Sequence, residues 1–252
     1  MKYFAKIKYL GTAFCGFQFQ PDKRTVQGEL TAACKAALGC DCRVTGCSRT
    51  DSGVHANAFC ITVDAPGATV PAEKLPLAMA RFLPCDISLF FAKECDEAFH
   101  PRYDAIGKEY LYRIHNARVA DPFLFGRAWF LPRIITDDGL EKMRIAANEL
   151  IGEYDFSAFM ASGADNAEDT VRRVEYIHID RKEDMIEIRI FANGFLYNMV
   201  RIIVGTLTEV AHGRFTQEDV RNMLLSRDRS AAGMTAPAEG LYLNRVEYAD
   251  IK

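Results

Sequence analysis

The sequence contains no apolar run approaching the ~18 residues that a membrane-spanning helix requires. Its first residues, Met1-Lys2-Tyr3-Phe4-Ala5-Lys6, alternate with lysine and carry no hydrophobic signal core, so the expected compartment is the cytoplasm. A Gly-Lys-[Ser/Thr] phosphate loop, a dinucleotide fingerprint, a zinc-protease histidine pair and a Gly-x-Ser-x-Gly elbow are all missing. There is no excess of basic charge either: the net charge is −3, with 11 basic and 10 acidic residues up to position 100 and 20 against 24 after it. Overall charge therefore does not announce a nucleic-acid binder, although a local patch suffices for one. The five histidines, His55, His100, His115, His178 and His212, are scattered and read as surface or packing residues.

The 252 residues are 49% hydrophobic and 26% charged. That is ordinary for a soluble globular protein of one large or two small domains, and it excludes disorder and coiled coil. All eight cysteines lie within the first 95 residues. A cytosolic chain of this size needs no covalent staples, so they read as reduced. Cys40-Asp41-Cys42 with Cys47 is the one cluster, and no second Cys/His pair follows to complete a zinc site. After residue 100 there are 16 arginines and only four lysines, and arginine forks suit phosphate and carboxylate geometry.

Hydrophobic periodicity predicts a strand over Tyr3–Tyr9, then a loop bracketed by Gly11 and Gly16 that carries Phe14, Phe17 and Phe19. Thr25 is placed to cap a helix with Val26, Leu30, Ala33 and Ala37 on one face and Gly39 at its end. Paired strands follow over 43–46 and 54–63, a second helix from Pro71 with Leu75, Met79 and Phe82 inward, and a strand over 87–92. The second half reads similarly: strand 108–115, helix 137–151, strands 171–180 and 185–191, a long apolar helix 195–211, a shorter helix near Thr216 and a strand over 241–248. The expectation is an α+β fold of two ferredoxin-like β-α-β-β-α-β halves, merged into one mostly antiparallel sheet with helices on one face and a catalytic cleft between the halves. The boundary is set near His100-Pro101, giving subdomains 1–100 and 101–252.

Three segments can carry chemistry. The hairpin tip Cys47-Ser48-Arg49-Thr50-Asp51-Ser52-Gly53 reads first as an ordinary turn. It also sets Asp51 beside Arg49, and a carboxylate near an arginine stays ionised and can act as nucleophile or base. In Lys108-Glu109-Tyr110-Leu111-Tyr112-Arg113, strand alternation puts two tyrosines on one face. One serves core packing on this reading, and a tyrosine so placed can stack on a base. In the apolar helix, Arg201 needs an anionic partner, because an unpaired buried charge is costly. A structural acid and a partner in a cleft both meet that need.

Gly46 to His55 resembles the Gly-x-Gly-Arg-Thr-Asp-x-Gly-Val-His signature of the TruA family of tRNA pseudouridine synthases. Six further segments match the family in order: Thr25-Val26-Gln27, Phe99-His100-Pro101-Arg102, Lys108 to Tyr112, Gly152 to Phe159, Met199 to Gly205 and Ala236 to Leu243. The pattern departs at Cys47, Ser48, Ser52 and over Asp169 to Arg173. The resemblance implies that Asp51 is the catalytic aspartate, that Tyr110 lines the uracil site, that Arg201 pairs with the aspartate and that Arg49 contacts RNA. It further implies a homodimer binding tRNA across both subunits, with Lys23, Arg24, Arg102, Arg113, Arg172 and Arg173 contributing to a basic groove.

The implied activity is conversion of uridine to pseudouridine at positions 38, 39 and/or 40 of the tRNA anticodon stem–loop. That reaction conserves atoms, so no cofactor and no metal are expected. Asp51 attacking C1′, attacking C6 and removing the C2′ proton are all open routes. A noncatalytic RNA-binding module and a small-molecule enzyme using Asp51 are the competing readings. Both leave the ordered motifs unexplained.

Overall fold

The computed structural model describes residues 1–163 and 169–249. The chain forms two compact units, Met1–Ile106 together with the chain from Tyr242 onward, and Gly107–Leu241.

In the first unit the elements are β1 (Lys2–Tyr9), α1 (Val26–Leu38), β2 (Arg43–Gly46), β3 (His55–Asp64), α2 (Leu75–Ala80) and β4 (Ile87–Glu94). Their strands run antiparallel in the order β4-β1-β3, and β2 pairs with the far end of β3 from Arg43↔Asp64 to Gly46↔Ile61. This is the ferredoxin-like arrangement expected from the sequence. Period-two alternation in β1 buries Tyr3, Ala5, Ile7 and Tyr9. Phe4 lies on the lysine-bearing side of the strand and is buried nonetheless, because the rings of Phe99 and Tyr248 meet it edge-on at 5.7 and 5.6 Å.

Helix α1 begins where its cap predicts. Thr25 Oγ1 accepts from Gly28 N at 3.3 Å, and Gly39, at φ 68°, ends the helix in the left-handed conformation. Helix α2 is shorter than its sequence pattern. A 3-10 turn over Ala72–Lys74 precedes it and it stops at Ala80. Leu75 and Met79 are buried as expected, but Phe82 falls beyond the last helical turn, loses the helical phase and is 45% exposed.

The second unit holds β5 (Ala105–His115), β6 (Trp129–Phe130), α3 (Asp137–Ala147), β7 (Gly152–Asp155), β8 (Val171–Lys182), β9 (Met185–Ala192), α4 (Met199–Ala211) and α5 (Gln217–Ser226). The antiparallel order is β5-β9-β8-β7, with β6 parallel to the end of β5 at Ile114↔Trp129. Thr136 caps α3 through Gly139 N, and α4 packs against α3. Thr216 and Asp219 form a full capping box for α5, as their spacing suggests.

Helix α4 starts at Met199, not Phe195. Asn198 stands at φ 60°, and a left-handed residue cannot continue a right-handed helix toward its N-terminus. The last strand, β10 (Leu241–Tyr248), pairs parallel with β3 at Tyr242↔His55 and Leu243↔Ala56, and so builds the first unit from the far end of the chain. Among the described residues no helix is long and apolar enough to cross a membrane.

No cysteine among the described residues is joined in a disulfide; Cys40 and Cys42 bring their sulfurs to 4.0 Å. Burial pushes the Cys34 thiol up to about 12, and Cys42 and Cys95 to about 11, from an ordinary value of about 9. Above pH ~9 the folded chain therefore keeps protons that the unfolded chain releases, and stability falls as pH rises through the folded values. Thermal melts between pH ~9 and ~12 should show a progressive drop in midpoint, and Cys34→Ala should make that drop shallower.

Candidate active site

The Asp51 turn is held from one side by the loop that follows β1. Phe17 N donates to Thr50 O at 3.1 Å, Gly53 N to Phe14 O at 3.4 Å, and Ser52 Oγ to the same Phe14 carbonyl at 3.1 Å. The hydroxyls of Tyr9 and Thr50 meet at 2.8 Å. Within the turn, Val54 N closes onto Asp51 O at 3.2 Å, and Gly53 takes φ 82°. The two glycines that bracket the aromatic loop make this approach possible. A Cβ on Gly11 would stand 1.9 Å from Val54 O, and one on Gly16, itself at φ 84°, 2.6 Å from Thr50 O.

The result is a graded exposure along three residues. Arg49 is exposed, Thr50 is buried as the anchor, and Asp51 is half-buried. The turn is thus positioned through its backbone and through Thr50. His55 is fully buried and packs its ring against Tyr242 at 4.5 Å. Its Nδ1 accepts from Gly11 N at 2.8 Å, which places its proton on Nε2. This is the packing role expected of it.

In the second unit, β5 carries both tyrosines and buries both. Tyr112 is the structural one, at 0% exposure. Its hydroxyl donates to Pro237 O at 2.7 Å, and burial pushes its phenol well above the ordinary range. Tyr110 is 7% exposed and meets Phe195 edge-on at 4.9 Å. Beside them, Glu109 is buried and accepts a short hydrogen bond from Tyr176 OH.

Arg201 is half-buried in the first turn of α4. Its Nε donates to Ala236 O at 2.7 Å and its Nη1 to Asn198 Oδ1 at 2.7 Å, while Ala236 N returns a bond to Arg201 O at 3.1 Å. Two of its partners are therefore neutral carbonyls, where the sequence argument asked for an anion. The segment 233–237 crosses α4 at close range, with Gly233 N on Thr206 Oγ1 at 2.9 Å. A Cβ on Gly205 would stand 1.9 Å from Met234 O. The Ala236–Leu243 motif is conspicuous in the sequence but has no assigned task there; two of its carbonyls hold Arg201 and Tyr112.

Comparison with known proteins bears on this arrangement. The sequence model of a family described as tRNA pseudouridine synthase matches residues 5–104 and 146–249. The chain belongs to this family. It is 43% identical over 242 residues to tRNA pseudouridine synthase A of Thermoanaerobacter sp. (strain X514), covering 96% of this chain and 97% of that one. It is 41% identical over 250 residues to tRNA pseudouridine synthase A of Bacillus pumilus (strain SAFR-032), covering 98% and 99%. A chain of a solved Cbf5-Nop10-Gar1 complex is also similar, at 13% identity and a TM-score of 0.35 over 98% of this chain and 60% of its own length. As a member of the pseudouridine synthase family, the protein is an enzyme of the isomerase class.

The six basic residues singled out for RNA differ in what they touch. Arg24 is tied to Asp86 through both Nη atoms at 2.7 and 2.9 Å and to Glu29 at 2.9 Å, and it covers the Phe14 ring at 4.2 Å. Arg113 pairs with Glu187 at 3.0 Å, Arg173 with Glu175 at 3.4 Å, and Arg172 with Asp169 at 3.6 Å. Lys23 and Arg102 are exposed and pair with no carboxylate among the described residues. Arg102 lies 5.8 Å from the exposed Tyr103 ring.

The close crossing at Gly205 is directly testable. Gly205→Ala forces the 233–237 segment away from α4 and should cost about 1–3 kcal/mol of stability. Urea unfolding, with the slope compared to confirm that only the midpoint moves, measures it.

Proposed function

We propose that this enzyme isomerises uridine to pseudouridine at positions 38, 39 and/or 40 in the anticodon stem–loop of tRNA, with Asp51 as the essential carboxylate. The observation that carries this reading is the Asp51 turn. Its backbone is anchored by Phe14, Phe17 and Thr50 while Asp51 itself is half-buried, and it lies in the segment that matches the family signature.

The target base must leave its stack to reach the carboxylate, at a cost of a few kcal/mol. The C1′–N1 bond breaks, the uracil rotates, and a C1′–C5 bond forms; C5 gives up a proton and N1 gains one. Nothing is oxidised and no atom is lost, so the reaction calls for no cofactor. Asp51 attacks C1′, attacks C6 or takes the C2′ proton; each route uses an ionised, positioned carboxylate.

Arg201 is assigned to pair with that carboxylate, Tyr110 to line the uracil site, and Arg49 to contact the RNA. The protein acts in the cytoplasm as a homodimer with tRNA across both subunits. Lys23 and Arg102, which have no carboxylate partner among the described residues, are the stronger candidates for phosphate contact. Arg24, Arg113, Arg172 and Arg173 would have to exchange an acid partner for phosphate.

Unmodified tRNA transcript, purified protein and buffer treated with EDTA test the proposal. Carbodiimide-stop primer extension should reveal pseudouridine in the anticodon stem–loop with the native enzyme and none with Asp51→Ala. Stops with both proteins would mean that another residue is the nucleophile. Tight tRNA binding with no stops would favour a binding module.

The role of Arg201 makes a separate prediction. Arg201→Ala should lower single-turnover rate far more than tRNA affinity; equal losses in both would sink it.

A further inference from the structure

We propose that Asn198 is a positioning residue for Arg201, holding the guanidinium plane in the orientation the reaction uses; this rests on the role proposed above for Arg201. Asn198 occupies the N-cap of α4, where an asparagine ordinarily accepts a hydrogen bond from a backbone N–H of the first turn. Here it makes no such bond. Its Oδ1 instead accepts from Nη1 of Arg201, three residues on, at 2.7 Å.

The conformation of Asn198 is also unusual for a cap. N-caps normally lie in the extended region, whereas Asn198 stands at φ 60°, ψ 9°. Two demands therefore coincide at one position. The backbone must be left-handed, which glycine and asparagine tolerate best, and the side chain must offer a short acceptor. Glycine meets only the first demand and glutamine only the second.

Arg201 needs such an anchor. It is a cation in the first turn of a helix, where the exposed N–H groups disfavour positive charge, and no acidic residue lies in that turn. Asn198 Oδ1 on Nη1 and Ala236 O on Nε bind two different donors of the planar group. Fixing the plane at two points fixes the direction of the fork, and arginine recognises a carboxylate in that plane. Removing the amide leaves the charge in place but takes away one of the bonds that orient its plane.

The test is a double-mutant cycle on tRNA modification, with Asn198→Gly, Arg201→Lys and the double variant. Glycine keeps the left-handed backbone, so the side-chain acceptor alone is lost. Single-turnover rate at saturating tRNA should fall about tenfold in Asn198→Gly, with tRNA dissociation constant and thermal midpoint close to native. In the Arg201→Lys background the same change should add less than a twofold loss, because the group it orients is gone. A native rate in Asn198→Gly, or an equal tenfold loss in both backgrounds, overturns the inference while leaving the role of Arg201 intact. A native rate in Arg201→Lys, or no pseudouridine from the unaltered enzyme, overturns the reading beneath it, and the inference falls with it.

Discussion

The reciprocal pair of hydrogen bonds between Arg201 and Ala236 ties a late loop to the most buried helix of the second unit. Much follows from it. The loop can lie this close only because residue 205 has no side chain, and Gly233 docks on a helix threonine for the same reason. With the loop in place, Pro237 presents its carbonyl to Tyr112, so β5 is held at its tyrosine row. An arginine in a largely buried helix would be a liability in isolation. Here its charge-assisted bonds to a main-chain carbonyl and an asparagine amide serve at once as its solvation and as a structural clasp.

The first unit solves a similar problem with different parts. The turn that carries Asp51, between β2 and β3, needs a backbone that does not wander, yet a turn is the part of such a connection with the fewest partners. The aromatic loop after β1 supplies them. It lends the carbonyl of Phe14 and the amide of Phe17 to the turn, and it approaches closely enough that Gly11 and Gly16 cannot carry a Cβ. Tyr9 and Thr50 lock the inward side. Rigidity is thus placed beside Asp51, in the backbone of its turn and in Thr50.

Much of this was legible in the residues. Caps at Thr25 and Thr216, the period-two strands and the β-α-β-β-α-β order of the first unit all follow from local rules, and the structure bears them out. The misreadings share a cause. Phe195 to Asn198 continue an apolar helical pattern, but the left-handed Asn198 ends it, and no composition rule reports a φ angle. Phe82 keeps the spacing of a buried face on a helix that has already stopped at Ala80. Among the candidate RNA contacts, Arg24 could not be told from Lys23 by sequence, because its partner Asp86 is remote along the chain.

The sequence by itself determined the elements, the family to which the chain belongs and the residues worth asking about, because these depend on local propensity and on motifs read in order. Tertiary structure decided which of them are anchored and by what. Thr50 was set as the anchor beside a half-buried Asp51, Tyr112 as the structural tyrosine, β10 as a strand of the first unit, and Asn198 as a partner of Arg201. Except for the Asn198 contact, these outcomes rest on contacts between segments far apart in the chain. Such contacts are selected by packing and close backbone approach, and no local pattern encodes them.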